Sequence, residues 1–207
     1  MKIKSPYSAA ITGGGFLFEE TEALLPMLMS PNVDSLLADE KMHNNSLHIN
    51  AETSRKKAII EIRRRYNAVP ISFWHEYLKM SKEDKTVALF YVVLKTYKIL
   101  FDFHTNVTMR KWKSAVRRID NSDLMMEFYE IAARDEFVDS WSENTKKKVA
   151  GAYLTMLRKV GLIDGNGVLK PVSSSNFSFY LKIAEPWFLE ACLLEPYQIE
   201  SIKKSVL

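Results

Sequence analysis

Three consecutive lysines, Lys146, Lys147 and Lys148, follow Ser142, Asn144 and Thr145 at a point where the chain turns helical. The chemistry this set can do is to hold a polyanion. Ser142 sits at an N-cap position, where a side-chain oxygen accepts from an unsatisfied backbone N–H of the first turn. Lysines in the first two turns oppose the positive end of the helix dipole, so the cluster does nothing for the helix itself. An external phosphate backbone fits it; a solvated lysine face is the alternative. Asn144 and Thr145 stand where helix-turn-helix readers place side chains that touch base edges.

The element that must position these residues runs on to Gly161. Val149, Tyr153, Met156 and Val160, with Leu157 beside them, recur at helical spacing and form an inward stripe. The opposite row, Asn144, Lys147, Lys148, Gly151, Thr155 and Arg158, contains no acid. Gly151 costs the helix about 1 kcal/mol relative to alanine, and its missing side chain lets another backbone approach closely. Beyond Gly161, Leu162 and Ile163 are expected to pair with Val168 and Leu169 across Asn166-Gly167, a dipeptide suited to the positive φ angles of a type I′ turn. Lys170 would then stand on a wing. Helix followed by hairpin predicts a winged-helix DNA-binding segment, with a purely structural helix-hairpin as the other reading.

The surrounding chain has 207 residues, a formal net charge of +4, and only 7 glycines and 7 prolines. That composition predicts a mainly α protein: a helical bundle with a helix-turn-helix-like N-terminal part and a C-terminal winged-helix-like part containing a small β-hairpin. Three regions are expected: 1–80, helical and helix-turn-helix-like; 81–120, central helices; and 121–207, winged-helix-like. Helical patterns cover Phe16 to Met29, Val33 to Asp39, Ala51 to about Asn67 capped by Asn50, Ser72 to Lys79, and Lys82 to Phe103 capped by Ser81 with Asp84. Further helices span about Thr108 to Ile119 and Asn121 to Arg134, and a last one opens at Pro186. Met42 to Asn50 has the pattern of a loop, and Phe179 to Ile183 that of a short strand or an extension of the wing. Val87 to Phe103 carries Lys95, Lys98 and Asp102, charges that a membrane span would exclude at about 2.5 to 3.5 kcal/mol each, so it is expected to be a buried central helix.

Positive charge is concentrated in three helices. The first carries Arg55, Lys56, Lys57, Arg63, Arg64 and Arg65; the second carries Arg110, Lys111, Lys113, Arg117 and Arg118; the third is the lysine-headed helix. Such helices around a phosphate backbone supply affinity without sequence information, and a solvated face is the alternative for any one of them. The helix from Ala51, with Thr53 to Lys57 at its start, could form a second reader after Val33 to Asp39, although the connecting loop is long for a simple helix-turn-helix.

Enzymatic chemistry finds no support. Gly13 to Gly15 lacks the Lys-Ser or Lys-Thr of a P-loop, and His43, His48, His75 and His104 are scattered and expected at the surface. Trp74, Trp112, Trp141 and Trp187 could stack on bases, with packing the default for each. Cys192 is the single cysteine, which excludes an intramolecular disulfide and a cysteine-based zinc site, suggests a cytoplasmic setting, and fits an inert core position. No cofactor, metal or small-molecule substrate is expected.

Tyr7-Ser-Ala-Ala-Ile-Thr-Gly-Gly-Gly-Phe, Glu19-Glu-Thr-Glu, Thr53-Ser-Arg leading to Ile62-Arg-Arg-Arg, Trp141-Ser-Glu-Asn-Thr-Lys and Tyr153-Leu-Thr-Met-Leu-Arg-Lys-Val-Gly-Leu-Ile together resemble the BrxA family of bacterial BREX (bacteriophage exclusion) defence systems. The resemblance runs in order along nearly the whole chain. It implies a non-enzymatic, double-stranded DNA-binding component, encoded beside a methyltransferase, a large ATPase and a phosphatase-like protein, with other BREX components as possible partners. The family has also been described as a membrane protein similar to the antitermination factor NusB; the charged Val87 to Phe103 segment speaks against the membrane, and the NusB likeness implies RNA as an alternative ligand. A protein-interaction scaffold is the reading from a different class. For DNA the expected contacts are Asn144, Thr145, Lys146, Lys147, Lys148 and Lys170, with Arg55, Lys56, Lys57, Arg64, Arg110, Lys111, Lys113 and Arg117 on phosphates.

Overall fold

In a computed structural model, which describes residues 4–205, helices account for nearly all regular structure. After a 3-10 turn at Ala10–Gly13 come α1 (Phe18–Leu28), α2 (Val33–His43), α3 (Glu52–Tyr66), α4 (Ile71–Tyr77), α5 (Lys82–Thr96) and α6 (Lys98–Asp102). A π-helical stretch, Phe103–Thr108, leads into α7 (Met109–Trp112), followed by α8 (Asn121–Ala132), α9 (Glu136–Asp139) and α10 (Glu143–Val160). The chain closes with α11 (Phe177–Lys182), α12 (Trp187–Ala191) and α13 (Pro196–Lys204).

The mainly α class is as expected, and its centre is α5. Ser81 caps it, its hydroxyl accepting from the Asp84 N–H at 3.1 Å. The Asp84 carboxylate does not complete a capping box; it accepts instead from Ser174 and Ser175 and from the Asn176 amide, which ties the serine-rich loop to the start of α5. Val87 to Leu94 are all buried, so the apolar run is apolar because neighbours surround it on every side. Lys95 pairs with Glu185 at 2.7 Å, and the half-exposed Lys98 with the buried Asp102 carboxylate at 2.5 Å. The expected single helix to Phe103 is broken at Tyr97, whose backbone is extended (φ −117°, ψ 101°). Its hydroxyl is the reason, being held between Arg65 Nε at 3.0 Å and the Glu61 carboxylate at 2.8 Å.

One hydrophobic core runs from Ile11 through α4 to α12, and a smaller one lies within α1 to α3, built from Leu17, Leu24, Leu28, Leu37, Leu47, Ala58, Ile59 and Ile62. The three-helix unit also settles the long turn between α2 and α3. α2 extends to His43, past the expected end at Asp39, and buried Glu40 at its last turn accepts from the backbone N–H groups of Ser46 and Leu47. Arg55 donates to the carbonyls of Lys41 and Ile49 from the other side. Opposite charges thus brace the connection that sequence spacing made too long, and the cap of α3 is Ala51, not Asn50.

The expected β-hairpin does not form strands: the described residues contain two isolated bridges, Ile163 with Leu169 and Arg118 with Val168. The Asp164 carboxylate takes the N–H groups of Asn166 and Val168, which closes the turn locally and shortens any ladder. Gly167 alone has positive φ (+79°), so the turn is not type I′. The 167–169 backbone pairs on its other side with 117–119, Ile119 N–H donating to Gly167 and Leu169 N–H to Arg117. The basic helix expected to reach Ile119 therefore stops at Trp112; the Ser114 hydroxyl donates to the carbonyls of Lys111 and Val116 and bends the chain outward. Phe179 to Ile183, expected as a strand, lies largely in α11, because Phe177 and Tyr180 bury at a spacing of one helical turn. The cap of α8 is Asp120, in a capping box with Asp123.

A candidate nucleic-acid interface

α10 forms as its sequence dictates. The Ser142 hydroxyl accepts from Thr145 N–H at 3.2 Å, and Gly161 ends the helix in the left-handed region at φ +88°. Val149, Tyr153, Met156, Leu157 and Val160 are buried, and Asn144, Lys147, Lys148, Gly151, Thr155 and Arg158 are all exposed. Among the described residues no acid pairs with Lys147, Lys148 or Arg158. A Cβ built on Gly151 would meet nothing within 4 Å, so no internal packing demands glycine there.

The inner side of α10 is fixed by a buried polar chain. His104, on the π-helical stretch, has Nε2 at 2.7 Å from the Ala191 carbonyl and Nδ1 at 2.8 Å from the Tyr153 hydroxyl. Burial pushes the His104 pKa down to about 4, partly offset by the Ala191 carbonyl, so the ring is neutral at ordinary pH. A carbonyl can only accept; Nε2 therefore carries the proton, the Tyr153 hydroxyl donates to Nδ1, and the Thr108 hydroxyl, 2.6 Å away, donates to Tyr153. His104 is thus a core residue and not the surface histidine expected from sequence. The apolar context of Phe103 and Val107 around it was the available signal.

The predicted contacts separate into distinct groups. Lys146 is buried at 5% exposure with its ammonium 3.3 Å from Glu143. Its spacing to Val149 and Tyr153 places it on the inward stripe, a signal present in the sequence. Thr145 is partly covered, its hydroxyl 2.9 Å from Ser142, which leaves Asn144 as the open polar side chain of the first turn. Arg55 is buried at 6% as the brace of the α2–α3 turn. Lys56 pairs with Glu52, and Arg64 lies 3.5 Å from Glu61; Lys57 is exposed and has no acid partner among the described residues. Lys111 pairs with Asp123 at 2.6 Å, while Arg110 is exposed. Lys113 lies 4.0 Å from Glu190, and Arg117 3.4 Å from Glu195.

Tertiary pairing also brings together cations that are far apart in sequence. Because 117–119 runs beside 167–169, Arg117 and Arg118 come next to the segment carrying Lys170. Gly167 makes this approach possible, since a Cβ there would collide with the carbonyl oxygen of Ile119. Lys170 also lines a cleft of about 500 Å³ with Lys82 and Lys159, at the C-terminal end of α10. Arg158 and Lys159 were not among the expected contacts, and Arg118 was expected only as part of the basic helix from Thr108 to Ile119. Arg158 was legible as the end of the Lys147 row, whereas the place of Arg118 beside the Lys170 segment needed the bridge.

The described fold is thus a mainly α scaffold that presents an acid-free basic face on α10. The BrxA family model matches residues 5–182, and the chain belongs to the BrxA family. Membership makes it a component of a BREX phage-defence system. Among solved structures, the chain is similar to an uncharacterized protein from Magnetospirillum magneticum at 21% identity and a TM-score of 0.75, over 91% of this chain and 98% of that one, a likeness of fold. No curated protein matches the chain. No described helix is long and apolar enough to cross a membrane.

Proposed function

We propose that this chain is the non-enzymatic, duplex DNA-binding part of its BREX system and that α10 is the principal contact. The observation that carries this is the exposed row Asn144, Lys147, Lys148, Gly151, Thr155 and Arg158: it bears cations, lacks an acid partner and has open space above its glycine. From Lys147 to Arg158 the row spans about 16 Å at 1.5 Å per residue, enough to follow several phosphates of one strand. Arg118 and Lys170, beside the Asp164 to Gly167 turn, extend it where a wing would stand. Contacts of this kind position the protein on DNA; base reading would rest on Asn144 alone.

Titration of a labelled duplex across a potassium chloride series tests the reading. Wild-type protein is expected to lose affinity steeply with salt, and Lys147→Glu with Lys148→Glu to abolish binding while the unfolding midpoint stays in place. Unchanged affinity in that double variant would remove α10 from the interface. A protein-docking role has its own support in Met126, Tyr129 and Phe137, large apolar side chains exposed on α8 and α9. Under that reading a BREX partner co-purifies and duplex binding is weak at physiological salt.

A further inference from the structure

Acids recur every five residues near the C-terminus, at Glu185, Glu190, Glu195 and Glu200, and two of them meet cations of the segment that follows α7. Glu190 faces Lys113, and Glu195 lies 3.4 Å from Arg117. Arg117 is a well-placed cation: its guanidinium carbon stacks 3.9 Å from the centroid of the Trp112 ring, which holds the planar group in one orientation before any ligand arrives. It adjoins Arg118 and, through the 117–119 pairing, the segment carrying Lys170.

The acids sit on supports of unequal strength. Glu190 belongs to α12, whose neighbours Phe188, Leu189, Ala191 and Cys192 to Leu194 are buried, so it is fixed. Glu195 begins α13, and no residue of α13 is buried. Between α13 and α7 a cavity of about 480 Å³ remains, walled by Met109, Trp112, Leu194, Pro196 and Ile199, which shows that α13 is not seated closely on α7. Lifting α13 would therefore uncover only the partly buried Ile199 and Ile202 and its contact with α11, with no fully buried side chain to expose.

We infer that α13 and Glu195 form an intramolecular cover that competes with DNA phosphates for Arg117, so that the α7 segment is a masked extension of the DNA path. This rests on the DNA-binding reading above. Glu195 stands in for a phosphate on the Trp112-backed guanidinium; when a duplex already held on α10 reaches Arg118 and Lys170, its backbone displaces Glu195 and α13 swings away. The C-terminal segment then sets how much of the basic surface is open.

The test uses full-length protein and a labelled 30-base-pair duplex over a salt series, with Glu195→Gln, Arg117→Gln and the double variant. Glu195→Gln is expected to bind about two- to fivefold more tightly, the scale of one exposed ion pair. The slope of log K against log salt should steepen by about 0.9 for the one cation returned to phosphate. In the Arg117→Gln background the same change should give no gain. Hydrogen exchange on the wild type should show residues 196–204 exchanging faster when DNA is added. Wild-type binding with an unaltered or weakened Glu195→Gln variant, or slower exchange of α13 on DNA, would overturn the cover and leave the α10 interface standing. Absence of duplex binding in wild type and Glu195→Gln alike would overturn both.

Discussion

α3 and α10 carry almost the same positive charge, six basic residues on the first and five on the second, and the fold uses the two sets for different purposes. On α3, Arg65 is fully buried and donates to the carbonyls of Gly15 and Phe16 and to the Tyr97 hydroxyl, while Arg55 braces the turn before the helix. Lys56, Arg63 and Arg64 have acids beside them, with Arg63 2.7 Å from Asp34. On α10, Lys146 is paired, and Lys147, Lys148, Arg158 and Lys159 have no acid partner among the described residues. A count of basic residues thus measures potential contacts, and burial and acid pairing decide which remain available to an outside polyanion. The difference makes α10 the stronger candidate interface and α3 chiefly a structural one.

The largest expected effect sharpens the structural half of that contrast. Arg65→Met should destabilise the protein by about 3 to 5 kcal/mol in urea unfolding, because it leaves the carbonyls of Gly15 and Phe16 without their donor and removes the guanidinium that holds the Tyr97 hydroxyl. Lys147→Met, on an open face, should change stability by less than about 0.5 kcal/mol. Equal losses from the two would dissolve the distinction.

Acid should next expose the buried support of α10. His104 titrates near 4 when folded and near its ordinary value when unfolded, so between those pH values the unfolded state takes up a proton that the folded state refuses. Stability is fully present above the unfolded value and falls by roughly 3 kcal/mol as pH drops from 6.5 to 4. His104→Gln should flatten that limb of a stability-against-pH curve; an unchanged limb would place the acid sensitivity elsewhere.

Reversing charge on each helix compares them directly. Lys147, Lys148 and Arg158 to Glu should abolish duplex binding in moderate salt, and Lys56, Lys57 and Arg64 to Glu should weaken it by less than about fivefold, since two of the latter are already neutralised. The reverse order would make α3 the interface. The smallest effect concerns two glycines. Gly167→Ala should cost about 1 to 3 kcal/mol, from its positive φ and the collision with Ile119, whereas Gly151→Ala should stabilise α10 by up to about 1 kcal/mol in thermal unfolding. A bulkier Gly151→Gln that keeps the stability but loses duplex affinity would show what the gap above α10 is for.

Local chemistry made α10 legible from both ends inward: Ser142 and Gly161 mark its limits, and one inward and one outward row follow from helical period. The same period already set Lys146 beside Val149, although charge alone suggested an outward lysine. The partners of His104, the break at Tyr97 and the fate of Arg55 and Arg65 were not legible, because each depends on a residue between 6 and 87 positions away in sequence. The hairpin expectation failed for a related reason. Asn166-Gly167 allows a tight turn, but Asp164 took the local N–H groups and 117–119 took the other edge of the segment.

By itself, then, the sequence determined the helical class, the caps at Ser81 and Ser142, the buried run of α5 and the acid-free row of α10, since all of these depend on residues within a few turns of one another. Only the tertiary structure decided which cations stay free, which brace buried turns, and that Arg117 meets both Trp112 and Glu195. Pairing energies depend on distance and burial in space, and neither is encoded in the spacing of residues along one helix.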